Sequence, residues 1–121
     1  MTGGWDLGDA WVFAAIGSRR QPCTLADVIA AGDRLNHAIL TEDELETALG
    51  RLAGAGLVRV FDDWTFELTD DGSSLWTSDD RDATTRLPLL QAELAVFEPG
   101  RVVVRLPRGV RDEAVAAYQE R

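Results

Sequence analysis

A mainly helical α+β fold is predicted from three features of the sequence. Apolar residues recur at helical spacing in three successive segments of the first half. Two β-rich runs, Leu57-Val-Arg-Val-Phe61 and Trp64-Thr-Phe-Glu-Leu68, flank Asp62-Asp63, and a helix, a strand and a second helix fit residues 86–121. With 121 residues, 45% hydrophobic and 27% charged, the chain has the material for one packed core without metal or disulfide staples.

Residues 1–8 hold three Gly and read as a short tail in which Trp5 docks. Asp9 is placed to cap a first helix running to about Ile16, with Trp11, Val12, Ala15 and Ile16 as its apolar stripe and Gly17 as its stop. Residues 18–24 read as a loop through Pro22. Thr24 and Asp27 then have capping-box spacing, and Leu25, Val28 and Ile29 carry a second helix to about Arg34. After the connector 35–40, Thr41 and Glu44 form a full capping box. Leu45, Ala48, Leu49 and Leu52 follow at i, i+3, i+4, i+7, and Gly54 or Gly56 should end this third helix. In the hairpin, a three-residue loop pairs Val60 with Trp64 and Val58 with Phe66, placing these four on one face and Arg59, Thr65 and Glu67 on the other. A two-residue loop would mix the faces. Thr69 is then a candidate cap for a helical turn reaching Leu75. Residues 77–85 lack a large apolar side chain and serve as an acidic linker.

Beyond it, Leu87, Leu90, Leu94 and Phe97 form one stripe of a helix over 86–98, with Leu89 and Val96 on an adjoining face. Pro99-Gly100 breaks it. Val102, Val104 and Leu106 alternate with Arg101, Val103 and Arg105 as a strand over 101–106, and Val110, Ala114, Val115 and Tyr118 mark a last helix over about 110–120.

Helix, helix, helix ending before Gly56-Leu57-Val58, hairpin, then Leu68-Thr69 with Gly72 and Leu75: this order resembles the winged helix-turn-helix superfamily, closest in flavour to MarR-like and PadR-like regulators. The resemblance covers residues 9–76 and implies a three-helix core plus a β-hairpin wing, with 86–121 as a helix-strand-helix extension. It also implies the superfamily's uses, which are DNA binding through the third helix and wing, or protein interaction. Fold alone does not choose between them.

Charge favours the second use. Twelve basic against twenty-one acidic residues give a net charge of -9, a field that on average repels nucleic acid and anionic membrane. On the third helix the positions that would meet base edges hold Glu42, Asp43, Glu46 and Thr47, and the wing tip is Asp62-Asp63. Carboxylates there face phosphates inside the screening length. Glu42, Asp43, Glu46, Asp62 and Asp63 are therefore read as a protein-interaction face. The alternative is a small dimeric DNA-binding transcriptional regulator using Arg19, Arg20, Arg51 and Arg59 as phosphate contacts. Against it, Arg59 can instead pair with Glu67 across the hairpin.

Nothing in the residues supports an enzyme or a cofactor. His37 is the only His and Cys23 the only Cys, which excludes a multi-histidine metal site and an internal disulfide. Cys23 precedes a helix start but reads as a packed structural thiol. Asp79-Asp80-Arg81-Asp82 lacks the spacing and turn Gly of a calcium loop. Gly50, Gly54 and Gly56 lie at the negative end of the third helix, where a phosphate is disfavoured.

The wide apolar arc over 86–98 has two structural uses: a dimer or partner interface through Leu87, Leu90, Leu94 and Phe97, which is preferred, or an extension of the chain's own core. The expected partner is accordingly another protein or a second copy. No cationic leader opens the chain and no apolar run approaches the ~18 residues of a membrane span, so a cytoplasmic location is expected.

Overall fold

The order of elements is α1 (Leu7–Gly17), β1 (Cys23–Thr24), α2 (Leu25–Asn36), α3 (Glu42–Gly54), β2 (Val58–Val60), β3 (Thr65–Leu68), α4 (Asp70–Leu75), α5 (Ala83–Leu94) and α6 (Val110–Gln119). The computed structural model describes residues 5–19, 21–36, 38–76 and 83–120. Among them the architecture is mainly helical, with one antiparallel sheet ordered β1-β3-β2.

Helix α1 is the hub. Every residue from Asp9 to Ile16 is buried, and α2, α3, α5 and β3 all pack on it. A helix apolar on all sides belongs inside a fold, and Ala10-Trp-Val-Phe-Ala-Ala-Ile16 leaves no polar face to present to water. The N-cap is Asp6 rather than Asp9. The Asp9 carboxylate reaches back to accept the Asp6 backbone N–H at 2.8 Å, so Asp9 is the returning partner of the cap and the helix gains three residues at its start, Leu7, Gly8 and Asp9. Trp11 Nε1–H donates to the Gly32 carbonyl at 2.8 Å, joining α1 to α2. Trp5 docks as expected: its indole donates to the Phe97 carbonyl, and its own carbonyl accepts from the Gln91 amide, both at 2.8 Å.

Helices α2 and α3 begin where the capping boxes placed them. Thr24 and Asp27 exchange bonds of 3.0 and 3.1 Å, as do Thr41 and Glu44. Gly56, at φ 78°, takes the left-handed conformation that turns the chain out of α3 into β2. Thr69 caps α4 through the Gly72 N–H at 3.1 Å and donates its hydroxyl to the Gly56 carbonyl at 2.5 Å. Gly72 lies directly on the Leu57 carbonyl, with no room for a Cβ. The Leu-Thr-x-x-Gly pattern thus fastens α4 to the start of the hairpin.

Two details of the sheet depart from expectation. The loop 18–24 ends in a strand, where Cys23 pairs with Phe66 and Thr24 with Thr65 along the outer edge of β3. In the hairpin the pairs are Val58 with Leu68, Arg59 with Glu67 and Val60 with Phe66, a register two residues removed from Val60–Trp64. The turn moves because Asp63 accepts from both the Thr65 N–H and hydroxyl, at 3.2 and 2.7 Å. Trp64 is then left in the loop at φ 60°, while Phe61 N–H donates to the Thr65 carbonyl. The shift preserves the faces.

The C-terminal third differs more. Helix α5 starts at Ala83 and stops at Leu94, so Pro88 lies inside it, and residues 95–97 form turns. Leu87, Leu90 and Leu94 are buried in the chain's own core on the side of α1, with Phe97 partly buried against the same cluster. The stripe read as a dimer or partner interface therefore covers the molecule's own interior. Residues 101–106 form no strand. With Gly100 they run across α3, and the two ends of the segment bond to that helix: Gly100 N–H donates to the Arg51 carbonyl at 3.0 Å and Leu106 N–H to Glu46 Oε2 at 2.7 Å. Helix α6 returns onto α2, where Tyr118 donates to Asp33 at 2.5 Å, and the Arg111 guanidinium donates to the Leu40 carbonyl, in the connector between α2 and α3, at 2.9 and 3.1 Å. No helix among the described residues is long and apolar enough to cross a membrane.

Candidate functional site

The cap at Thr41 fixes the first turn of α3 and leaves Glu42 and Asp43 exposed on it, while Glu44 is drawn back into the capping box. Acidic side chains here also meet the positive end of the helix dipole, which stabilises α3. One turn on, Glu46 is half-buried and committed to the Leu106 N–H. Another turn on, Arg51 reaches α1, its guanidinium 2.8 Å from Asp9 and 3.1 Å from Asp6. The hydrogen bond to Asp9 is the main reason its pKa rises above the usual arginine value.

Two open clefts flank this helix. One, of about 320 Å³, lies between the N-termini of α1 and α3 and gathers Asp43, Glu44 and Thr47 with Asp6 and Asp9. The other, of about 340 Å³, runs between α3 and the extended segment 100–105, with Glu46, Thr47, Gly50 and Arg51 on its helical wall. Gly50 and Gly54 form the floor beneath that segment. A Cβ on Gly50 would overlap the Val102 carbonyl, and one on Gly54 would sit 2.5 Å from Gly100 Cα. The glycines set aside as a phosphate loop instead admit a second backbone.

At the hairpin tip Asp62 and Asp63 are exposed, and Asp63 organises the turn. Phe61 beside them is 40% exposed. Arg59 pairs with Glu67 at 2.9 Å, and Arg19 is half-buried in the turn after α1. Arg20, His37 and the segment 77–82, with Asp79, Asp80, Arg81 and Asp82, lie outside the described residues. The structure thus brings Asp43 together with Asp6 and Asp9, and Glu46 together with Arg51 and the strap 100–106. Asp6 carried a signal in its three-residue spacing from Asp9. The strap carried none.

Cys23 is buried, its Sγ–H donating to the Phe66 carbonyl at 3.6 Å. Burial, reinforced by the neighbouring Asp27 carboxylate, pushes the thiol up to about 11 from an ordinary 9.0. Such a thiol is protonated at neutral pH and a poor nucleophile. Among the described residues no group of three His, Cys, Asp or Glu side chains is placed to hold a metal ion. Comparison with known proteins finds no matching family model, no similar curated protein and no similar solved structure.

Proposed function

We propose that the chain is a protein-interaction module on a winged-helix plan over residues 9–76, and that the α3 face receives another polypeptide rather than DNA. The order α1, α2, α3, β2–β3 hairpin and α4 supports the plan. One observation carries the choice of ligand: a polypeptide backbone already lies along α3, hydrogen-bonded to Glu46 and to the Arg51 carbonyl. A duplex cannot share that ground.

The charges agree. Glu42, Asp43, Asp62 and Asp63 are exposed where phosphates would have to approach. Two of the arginines that a DNA-binding regulator would use are held by carboxylates, Arg51 by Asp6 and Asp9 and Arg59 by Glu67. The acidic edge of the face selects a partner with basic side chains.

Fluorescence anisotropy with two probes, a labelled random-sequence duplex and a labelled Lys/Arg-rich peptide, tests this reading at about 50 mM salt, where phosphate contacts are strong. The peptide should bind, and Glu42→Gln with Asp43→Asn should weaken it several-fold. Binding of the duplex with a steep salt dependence, and no binding of the peptide, overturns the assignment.

A further inference from the structure

We infer that the groove on α3 is a docking site for an extended peptide segment, and that residues 100–106 of the chain occupy it as an internal stand-in for the partner. The inference rests on the interaction reading above and names its ligand: a glycine followed by a short aliphatic run between two arginines and closed by a leucine.

Three observations point to that ligand. First, α3 is built for close approach, because Gly50 and Gly54 stand one turn apart and the segment's backbone rests on both. At the nearest point Gly100 meets Gly54, and a Cβ on either residue would strike the other's backbone, so the occupant needs Gly there. Second, α3 supplies acceptors to the two ends of the segment: the Arg51 carbonyl to Gly100 N–H and the Glu46 carboxylate to Leu106 N–H, at 3.0 and 2.7 Å. These bonds read main chain, with Gly at one end and the buried Leu106 as the anchor at the other. Third, the segment between them is lightly held. Arg101, Val102, Val103 and Arg105 are exposed, Val103 at 77%, and a cleft of about 340 Å³ opens between the segment and the helix. A stretch with so little burial opens at low cost.

Its chemistry complements the surroundings, since Arg101 and Arg105 lie along a helix that carries Glu42, Asp43 and Glu46. A partner segment of the same pattern would gain the same two main-chain bonds and the same attraction. Its apparent affinity is the intrinsic affinity multiplied by the fraction of time the internal segment leaves the groove open.

The test uses the full chain and a labelled nonapeptide with the sequence of residues 99–107. Gly100→Val should drive the internal segment off Gly54 while the peptide still carries its glycine. This variant should bind the peptide at least about tenfold more tightly than wild type. Adding Gly54→Val should abolish the gain, because the floor is then closed to any backbone. A folded Gly100→Val variant that binds no better than wild type overturns the inference. If Gly100→Val does not fold, excess unlabelled peptide on the isotope-labelled wild-type chain decides in NMR spectra: shifts of the chain's own Gly100 and Leu106 amides, which must leave α3 as the peptide enters, support the groove, and unshifted amides overturn it. A duplex DNA arm separates this from failure of the underlying reading. A Gly100→Val variant that gains salt-sensitive duplex binding would mean that the segment masks a DNA-binding helix, whereas one that binds neither probe while the basic-peptide assay still succeeds removes only the groove.

Discussion

Arg51, read from the sequence as a candidate phosphate contact, has the partners of a structural residue. Its guanidinium is 30% exposed, whereas the Asp9 side chain it holds is 3% exposed, so removing the cation strands a buried carboxylate. Arg51→Ala should therefore cost about 2–4 kcal/mol in urea unfolding, and Asp9→Asn on that background should recover much of the loss. Equal stability of Arg51→Ala and wild type would show that the pair contributes nothing. Cys23 gives a second expectation. Its folded pKa is raised, so the folded state keeps its proton up to about pH 11 while the unfolded chain releases it near 9.0. The contribution is fully present below pH 9.0 and is lost as pH rises towards about 11, a total of about 2–3 kcal/mol. Wild type should then lose stability more steeply than Cys23→Ala between about pH 8 and 10.5 in parallel urea titrations. Parallel slopes would sink the idea.

At the scale of the element, α3 was legible because its determinants are local. Thr41, Glu44 and the i, i+3, i+4 run of Leu45, Ala48 and Leu49 state both its start and its buried side. Thr41→Ala should accordingly cost about 1 kcal/mol in thermal or chemical unfolding. The hairpin was legible only in part: alternation fixes which residues share a face, but a shift of two in the pairing leaves that pattern unchanged, and the choice falls to Asp63, whose turn bonds place Trp64 in the loop. The strap was misread because Val102, Val104 and Leu106 alternate as a strand does. What decides its partner is a pair of glycines on another element some fifty residues away, invisible to any local pattern. The α5 stripe shows the same limit, since a broad apolar arc does not say whether it meets a second copy or α1. Leu94 is 0% exposed. Leu94→Ala should lower stability by about 2–5 kcal/mol and leave the sedimentation coefficient of the folded fraction unchanged. A fall in that coefficient without loss of stability would return the stripe to a role in self-association.

Across the whole molecule the charge is divided unevenly: residues 1–100 carry -11 and residues 101–121 carry +2. The division falls where the strap crosses α3, and the opposite net charges predict an attraction between the last 21 residues and the rest. Arg101 and Arg105 are exposed, and their interaction with the acids of α3 passes through water, where it is weak per pair and sensitive to salt. The contacts that hold α1, α2 and α3 together are mostly apolar and buried, and the carboxylate of the Arg51–Asp9 pair is itself buried, so they are less sensitive to salt. Raising salt from about 0.02 to 0.5 M should therefore loosen the strap selectively. The Gly100 and Leu106 amides should exchange with solvent about two- to fivefold faster in high salt, while the Leu45 amide, bonded to the Thr41 carbonyl at 3.0 Å, should not respond. If all three amides accelerate together, strap and core open as one unit and the charge division has no mechanical consequence. If the Gly100 and Leu106 amides slow in high salt, apolar contacts of Val102, Val104 and Leu106 dominate the attachment, and a partner segment would be selected for its aliphatic residues rather than its arginines.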